Sequence, residues 1–162
     1  MILVGLGANL PSQVGEPAAT LRAALAAMQD FAEVLRVSRF YRTPAWPDPA
    51  DPPFVNAVAA IATRLEPAAL LARLHDIESI FGRVRQAKNA PRTLDLDLLD
   101  YNGRVEPGPP TLPHPRIADR AFVLTPLADV APAWRHPTAG LSVTELLAML
   151  PDEVRQIASL ST

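Results

Sequence analysis

From Gly82 to Asp97 the chain reads Gly-Arg-Val-Arg-Gln-Ala-Lys-Asn-Ala-Pro-Arg-Thr-Leu-Asp-Leu-Asp, and here its residue types could do chemistry. Arg83, Arg85, Lys88 and Arg92 crowd into a short stretch, and Asp95 and Asp97 follow at once. From Leu94 onward apolar and acidic residues alternate with period two, which predicts a strand. Leu94, Leu96 and Leu98 would face a core, while Asp95 and Asp97 would share the other face with their Cα atoms roughly 6.6 Å apart. That gap suits two carboxylates converging on one or two hard cations, because magnesium takes oxygen ligands and keeps several waters. The upstream cations suit a polyphosphate, since arginine offers a planar fork of donors to phosphate oxygens.

Each half of this pattern has a plainer reading. An Asp-x-Asp on a strand is commonly the solvated face of an amphipathic strand, and a basic loop is commonly only a solvated loop. Side by side they point to magnesium-dependent phosphate transfer, because metal ions and arginines jointly neutralise a transferring phosphoryl group.

The whole chain sets the bounds. Its 162 residues are one domain's worth. With 49% hydrophobic and 20% charged residues it has the profile of an ordinary globule. A formal net charge of −2 argues against broad nucleic-acid binding, so the basic loop is aimed at a small anion. The absence of cysteine excludes a disulfide, a thiolate nucleophile and a Cys-based zinc site. Met1 to Gly7 lacks a basic leader and a full-length apolar span, so it reads as a first strand, with no membrane association and a cytoplasmic location expected.

The elements that must position these residues follow in order. Ile2 to Val4 reads as a strand entering a Gly5-Leu-Gly7 turn. A dinucleotide-binding reading of that turn fails, because Leu10 stands where the last glycine belongs. Gly15 to Phe31 carries Leu21, Leu25 and Met28 at helical spacing, with Pro17 in the first turn. Val34 to Arg42 reads as a strand by its β-branched and aromatic content. Pro44 to Pro53, with five prolines, is an exposed loop. Phe54 to Thr63 is an apolar run interrupted by Asn56, a buried central strand. Glu66 to Phe81 is a helix with Leu70, Leu71, Leu74, Ile77 and Phe81 on one face and Gly82 at its end. After the Leu94 to Tyr101 strand, Asn102-Gly103 signals a hairpin with Arg104 to Glu106 returning. Pro107 to Pro115 is a second proline-rich loop. Arg116 to Val130 would hold a helix or two broken at Pro126. Ser142 to Glu145 is a capping box opening a helix, and Val154 to Ile157 would be a last strand. Strand, helix, strand, strand, helix, strand is the order of the ferredoxin-like βαββαβ motif. The expected class is therefore α+β: an antiparallel-rich sheet covered by helices, an αβα sandwich with added C-terminal elements.

Lys88-Asn-Ala-Pro-Arg92-Thr-Leu-Asp95-Leu-Asp97-Leu-Leu99 resembles the signature of the 6-hydroxymethyl-7,8-dihydropterin pyrophosphokinases. Gly5-Leu-Gly-Ala-Asn9-Leu, Phe40-Tyr-Arg-Thr-Pro44, Phe54-Val-Asn56-Ala, Leu112-Pro-His114-Pro, Asp119-Arg-Ala-Phe122 and Pro126-Leu127 agree in order and spacing, so the resemblance runs from Ile2 to about Pro132. It implies a single domain, a monomer, transferring the terminal diphosphate of ATP to the pterin hydroxymethyl oxygen with release of AMP, a step of folate synthesis. It also implies two Mg2+ ions on Asp95 and Asp97, with Arg83 and Arg92 stabilising phosphates and Arg85 binding nucleotide. Thr43, Pro44, Ala45 and Trp46 would line the pterin pocket, with Asn56 reading the ring edge and Phe54 and Phe122 stacking on the ring. His75, Glu78, Leu98, Thr111, His114 and Arg120 would serve the ATP site. Asn56 carries its own argument, since a buried amide needs partners and the pterin's amino-pyrimidinone edge offers a matching pattern. Bonding to neighbouring backbone is the simpler alternative. The chain departs from the family pattern in a shorter Gln86 to Ala90 stretch without tryptophan, and in a proline near 109 where some members have arginine.

A ferredoxin-like nucleic-acid module is the competing class, since this architecture hosts many functions. Asp95 and Asp97 beside the basic loop would repel a phosphate backbone unless metal intervened. An ordinary γ-phosphoryl kinase lacks support, because no Gly-x-x-x-x-Gly-Lys-Ser/Thr loop is present.

Overall fold

The computed structural model describes residues 1–45, 48–82, 92–155 and 157–160. Strand β1 (Ile2–Ala8) is followed by helix α1 (Pro17–Met28), β2 (Glu33–Val37), β3 (Tyr41–Thr43), β4 (Phe54–Ala62), α2 (Pro67–Ile80) and β5 (Asp95–Tyr101). A 3₁₀ turn at Ile117–Asp119 leads into α3 (Ala121–Val130), α4 (Val143–Ala148), α5 (Asp152–Arg155) and β6 (Ala158–Ser159). The sheet order is β5-β1-β4-β3-β6, with β2 pairing β4 beside β3, and its pairings are antiparallel. Counting β2 and β3 as one broken strand, this is the predicted ferredoxin-like order with an added C-terminal strand.

Two cores sit on the two faces of the sheet, as side-chain alternation requires. Ile2, Val4 and Leu6 of β1, Ala57, Ala59 and Ile61 of β4, and Leu96 and Leu98 of β5 pack under Leu21 of α1 and Leu70 and Leu74 of α2. Leu3, Val58, Ala60 and Leu99 face the opposite way, against Leu124 and Leu127 of α3, Leu146 of α4 and Trp134 of the loop between them. Both helices on the first face open with proline at their first positions, where no N–H is needed. The Ser142 to Glu145 capping box forms as predicted.

Several expectations change. Gly5-Leu-Gly7 is not a turn but the middle of β1, paired with β4 and β5 on its two sides. The strand expected over 34–42 breaks at Ser38, whose hydroxyl accepts the Val58 N–H at 2.9 Å and donates to the Arg39 carbonyl at 2.7 Å, standing in for the regular ladder. The Asn102-Gly103 turn is made, with both residues at positive φ, but no strand returns from it. Only an isolated Glu106–Leu112 bridge follows. Helix α3 runs through Pro126. The bond to the Phe122 carbonyl that proline cannot make is outweighed by burial of Val123, Leu124, Leu127 and Val130. Val154 lies in α5 rather than in a strand, and β6 begins at Ala158.

Candidate active site

The register of β1 brings the chemistry together. Asp95 lies opposite Gly7, and Gly7 lies opposite Asn56 on its other side; Asp97 and Val58 flank Gly5 in the same way. Alternation puts Asp95, Asp97, Gly5, Gly7, Phe54 and Asn56 on the face that carries α3. The two glycines therefore leave a trough without side chains between the aspartates and Asn56. A Cβ on Gly7 would lie 2.7 Å from Asn56 Oδ1, well inside contact distance, whereas one on Gly5 would meet Leu99 at an ordinary 3.5 Å.

Asn56 is buried at 7% exposure, and its Nδ2 donates to Thr43 Oγ1 at 2.8 Å. Its partner is thus a neighbouring side chain rather than backbone, which leaves the amide with further donor and acceptor capacity. Both residues line a cavity of about 430 Å3 together with Pro44, Ala45, Phe54, Ala121 and Phe122. Arg92, Asp95, Arg116, Asp119 and Arg120 line it as well. Apolar walls with a few convergent polar groups are what a flat, polar-edged ring requires.

The cavity's charged lining sets Arg92, Arg116 and Arg120 among Asp95, Asp119 and Glu153. Arg92 pairs with Asp95 at 3.3 Å, and its guanidinium lies 6.0 Å from the centre of the Phe54 ring. Burial holds the Arg120 guanidinium below its ordinary pKa, and the like charge of Arg116 adds to this, with Asp97, Asp95 and Asp119 opposing. Burial likewise lowers the His114 pKa, with Arg120 contributing next. Cations that depress one another's charge are stabilised by an incoming anion.

Among the described residues no group of three or more His, Cys, Asp or Glu gathers as a metal centre. Asp95 and Asp97 offer carboxylate oxygens, half-buried, on one face beside a bare floor. That donor set fits magnesium, which is typically held by one or two carboxylates with waters and phosphate oxygens completing its shell.

Other expected residues fall elsewhere. Glu78, expected at the ATP site, is 2% exposed, and its Oε2 accepts the Leu96 N–H at 2.7 Å. β5 is the edge strand, so an outward N–H there needs a partner, and α2 supplies one. This carboxylate is engaged with the protein rather than offered to a nucleotide. The Leu98 side chain is also interior, 3% exposed in the core beneath the sheet, so any nucleotide contact it makes would come from its backbone on the edge strand. His75 is half-buried on α2, outside the cavity lining. Thr111 is exposed and donates its hydroxyl to the Pro107 carbonyl at 3.1 Å. His114 is held by its own N–H on the Leu99 carbonyl at 2.8 Å, and its Nδ1 accepts the Arg116 N–H at 3.2 Å. Trp46, Arg83, Arg85 and Lys88 lie outside the described residues. Arg116, Asp119, Glu153, Val154 and Ile157 line the cavity without having been singled out from the sequence. Arg116 and Asp119, ion-paired at 3.6 Å, had a signal in the adjacent Pro-His and Asp-Arg blocks. The C-terminal trio had none, because the packing of α5 on α3 and the pairing of β6 with β3, both distant in sequence, bring it there.

A family model described as 7,8-dihydro-6-hydroxymethylpterin-pyrophosphokinase (HPPK) matches residues 3–132. Three bacterial proteins named 2-amino-4-hydroxy-6-hydroxymethyldihydropteridine pyrophosphokinase are similar along most of their length. That of Pseudomonas aeruginosa is 44% identical over 156 residues, covering 94% of this chain and 93% of the relative. That of Methylorubrum extorquens is 42% identical over 151 residues, covering 91% of each. That of Synechocystis sp. is 40% identical over 148 residues, covering 90% of this chain and 73% of the relative. A crystal structure of Plasmodium falciparum HPPK-DHPS matches with a TM-score of 0.68 over 90% of this chain and 43% of that longer one, and at 14% identity it shows the fold alone. Among the described residues no helix is long and apolar enough to cross a membrane. On the family match, and on identities of this size over most of both chains, the protein belongs to the 7,8-dihydro-6-hydroxymethylpterin-pyrophosphokinase family of enzymes.

Proposed function

We propose that the chain, acting as a single monomeric domain, transfers the terminal diphosphate of ATP to the hydroxymethyl oxygen of 6-hydroxymethyl-7,8-dihydropterin, releasing AMP, in folate biosynthesis. The observation that carries this reading is the Asn56–Thr43 amide and hydroxyl pair. Both line a cavity that Phe54, Phe122, Arg92 and Asp95 line too. A pterin lying against Phe54 and Phe122, with its ring edge on Asn56, would direct its hydroxymethyl arm toward Arg92 and Asp95.

The reaction needs alignment and charge neutralisation more than covalent chemistry. The pterin hydroxyl oxygen bonds to the β-phosphorus, the bond from that phosphorus to the α–β bridging oxygen breaks, and AMP leaves with the bridging oxygen. The hydroxyl proton passes to solvent. Asp95 and Asp97 would hold magnesium, two ions by the resemblance, which when bound supplies neutralisation of phosphate charge. Arg92, Arg116 and Arg120, which line the cavity, would meet the phosphates, and the resemblance adds His114, Arg83 and Arg85 as phosphate and nucleotide ligands. The cavity's Phe54, Phe122, Ala45 and Pro44 would shield the reacting atoms from water.

The test is to incubate the protein with ATP, magnesium and the reduced pterin and to separate nucleotides chromatographically. AMP formed only when all three are present supports the reading; ADP, or nucleotide turnover indifferent to the pterin, contradicts it.

A further inference from the structure

Asn9, just beyond the end of β1, ties together the two segments that bring Arg92 and Phe54 to the cavity. It is 2% exposed. Its Oδ1 accepts the Arg92 N–H at 2.8 Å, and its Nδ2 donates to the Pro52 carbonyl at 3.1 Å. The backbone N–H groups of Asn9 and Leu10 both donate to the Arg92 carbonyl, at 3.1 and 3.2 Å. Both polar backbone atoms of Arg92 are therefore held by the end of β1. The far side of the same amide holds Pro52, two residues before Phe54. Only a primary amide does both at that length, since it carries an acceptor and a donor on one planar group.

We infer that Asn9 is a positioning residue that sets the Arg92 backbone and the entry into β4 at once, so that Arg92 and Phe54 are placed relative to one another. The inference rests on the proposed phosphate role of Arg92. It gives Asn9 a role that acts through Arg92 and not by touching either substrate. The Arg92 guanidinium sits between Asp95 at 3.3 Å and the Phe54 ring at 6.0 Å. A shift of its backbone by a fraction of an ångström would therefore misplace it against both, and misplacement on that scale is costly to rate.

A double-mutant cycle reads this directly. Asn9→Ala should lower kcat at least tenfold in protein that melts cooperatively, and Asn9→Ala in an Arg92→Ala background should lower it by less than twofold further. A residue that only stabilises the fold would instead multiply its loss onto that of Arg92→Ala, and multiplicative losses overturn the inference. Asn9→Asp keeps the acceptor for Arg92 and loses the donor for Pro52. It should keep kcat well above that of Asn9→Ala while raising KM for the pterin about fivefold, and a kcat as low as that of Asn9→Ala contradicts the assignment. If Asn9→Ala does not fold, Asn9→Ser, too short to span both partners, takes its place in the cycle. AMP formation by the unsubstituted protein tests the phosphotransfer reading separately. The same cycle measured by affinity for the α,β-methylene analogue of ATP, with the same non-additivity expected, tests Asn9 without turnover.

Discussion

Gly7 and Asn56 face each other across adjacent strands so closely that a methyl group on Gly7 would lie 2.7 Å from the Asn56 carboxamide oxygen. The glycine is there for that approach and not for a turn. Its φ is not positive, unlike those of Gly15, Gly82, Gly103, Gly108 and Gly140. Gly7→Ala should therefore displace the Asn56 amide from Thr43, weakening pterin binding at least tenfold and costing about 1–3 kcal/mol of stability. Gly5→Ala, whose methyl would meet Leu99 at 3.5 Å, should change stability by less than about 1 kcal/mol. Calorimetric titration and thermal melting of the pair check this, and equal pterin affinities in the two variants would refute it.

The aspartates are half-buried on the cavity face rather than packed in a core, so their removal leaves no apolar void. Asp95→Asn and Asp97→Asn should each lower AMP formation by roughly a hundredfold or more while shifting the melting temperature by only a few degrees. Near-normal turnover in either folded variant would remove the proposed magnesium role.

How much of this was legible in the chain depends on which partner each residue needed. Leu70, Leu74 and Ile77 announce α2 because helical spacing is a local property, and Asp95 and Asp97 announce a shared face because strand alternation is too. Gly7 was misread because the reason for it stands on another strand. Glu78 stands three residues from His75 on a helix, a spacing that puts the two on one side, but the edge-strand N–H of Leu96 that draws Glu78 inward belongs to the topology of the sheet. Val154 and Ile157 had no signal at all, since the packing of α5 on α3 and a short pairing of β6 with β3 carry them to the cavity. The residues at Asn56, Thr43, Phe54 and Phe122 were found by resemblance and are gathered into one cavity by the fold.

That C-terminal wall makes a further expectation. Val154 is 48% exposed, yet it lines the cavity with Ile157. Val154→Ser with Ile157→Ser should raise KM for the pterin several-fold and leave KM for ATP within twofold. Steady-state kinetics in each substrate decide it, and an equal rise in both would place the wall outside the pterin site.

Asp129 of α3 accepts hydrogen bonds from the Tyr41 hydroxyl at 2.7 Å and from the Arg39 N–H at 3.1 Å, fixing β3 and its Thr43 end against α3. Burial alone would raise its pKa, but the Arg39 guanidinium, bonded to its Oδ1 at 3.1 Å, then the Tyr41 hydroxyl and the Arg39 backbone N–H hold it below the ordinary 3.8. A carboxyl depressed on folding stabilises the protein fully above its unfolded pKa, and that contribution is lost as pH falls through the folded value. Asp129→Asn should lower the melting temperature at pH 7, and the gap to the unsubstituted protein should shrink once pH drops below about 3.8. A gap that stays constant down to pH 2 would contradict the depressed carboxyl.

The most direct measurement of the central claim is the phosphorus NMR spectrum of a complete reaction of ATP, magnesium and 6-hydroxymethyl-7,8-dihydropterin with this protein. Transfer of both terminal phosphates as one unit predicts a single AMP resonance and, in equal amount, two mutually coupled resonances of a new diphosphate ester, all absent with Asp97→Asn. ADP with a monophosphate ester, or unchanged ATP in the presence of folded protein, would contradict it.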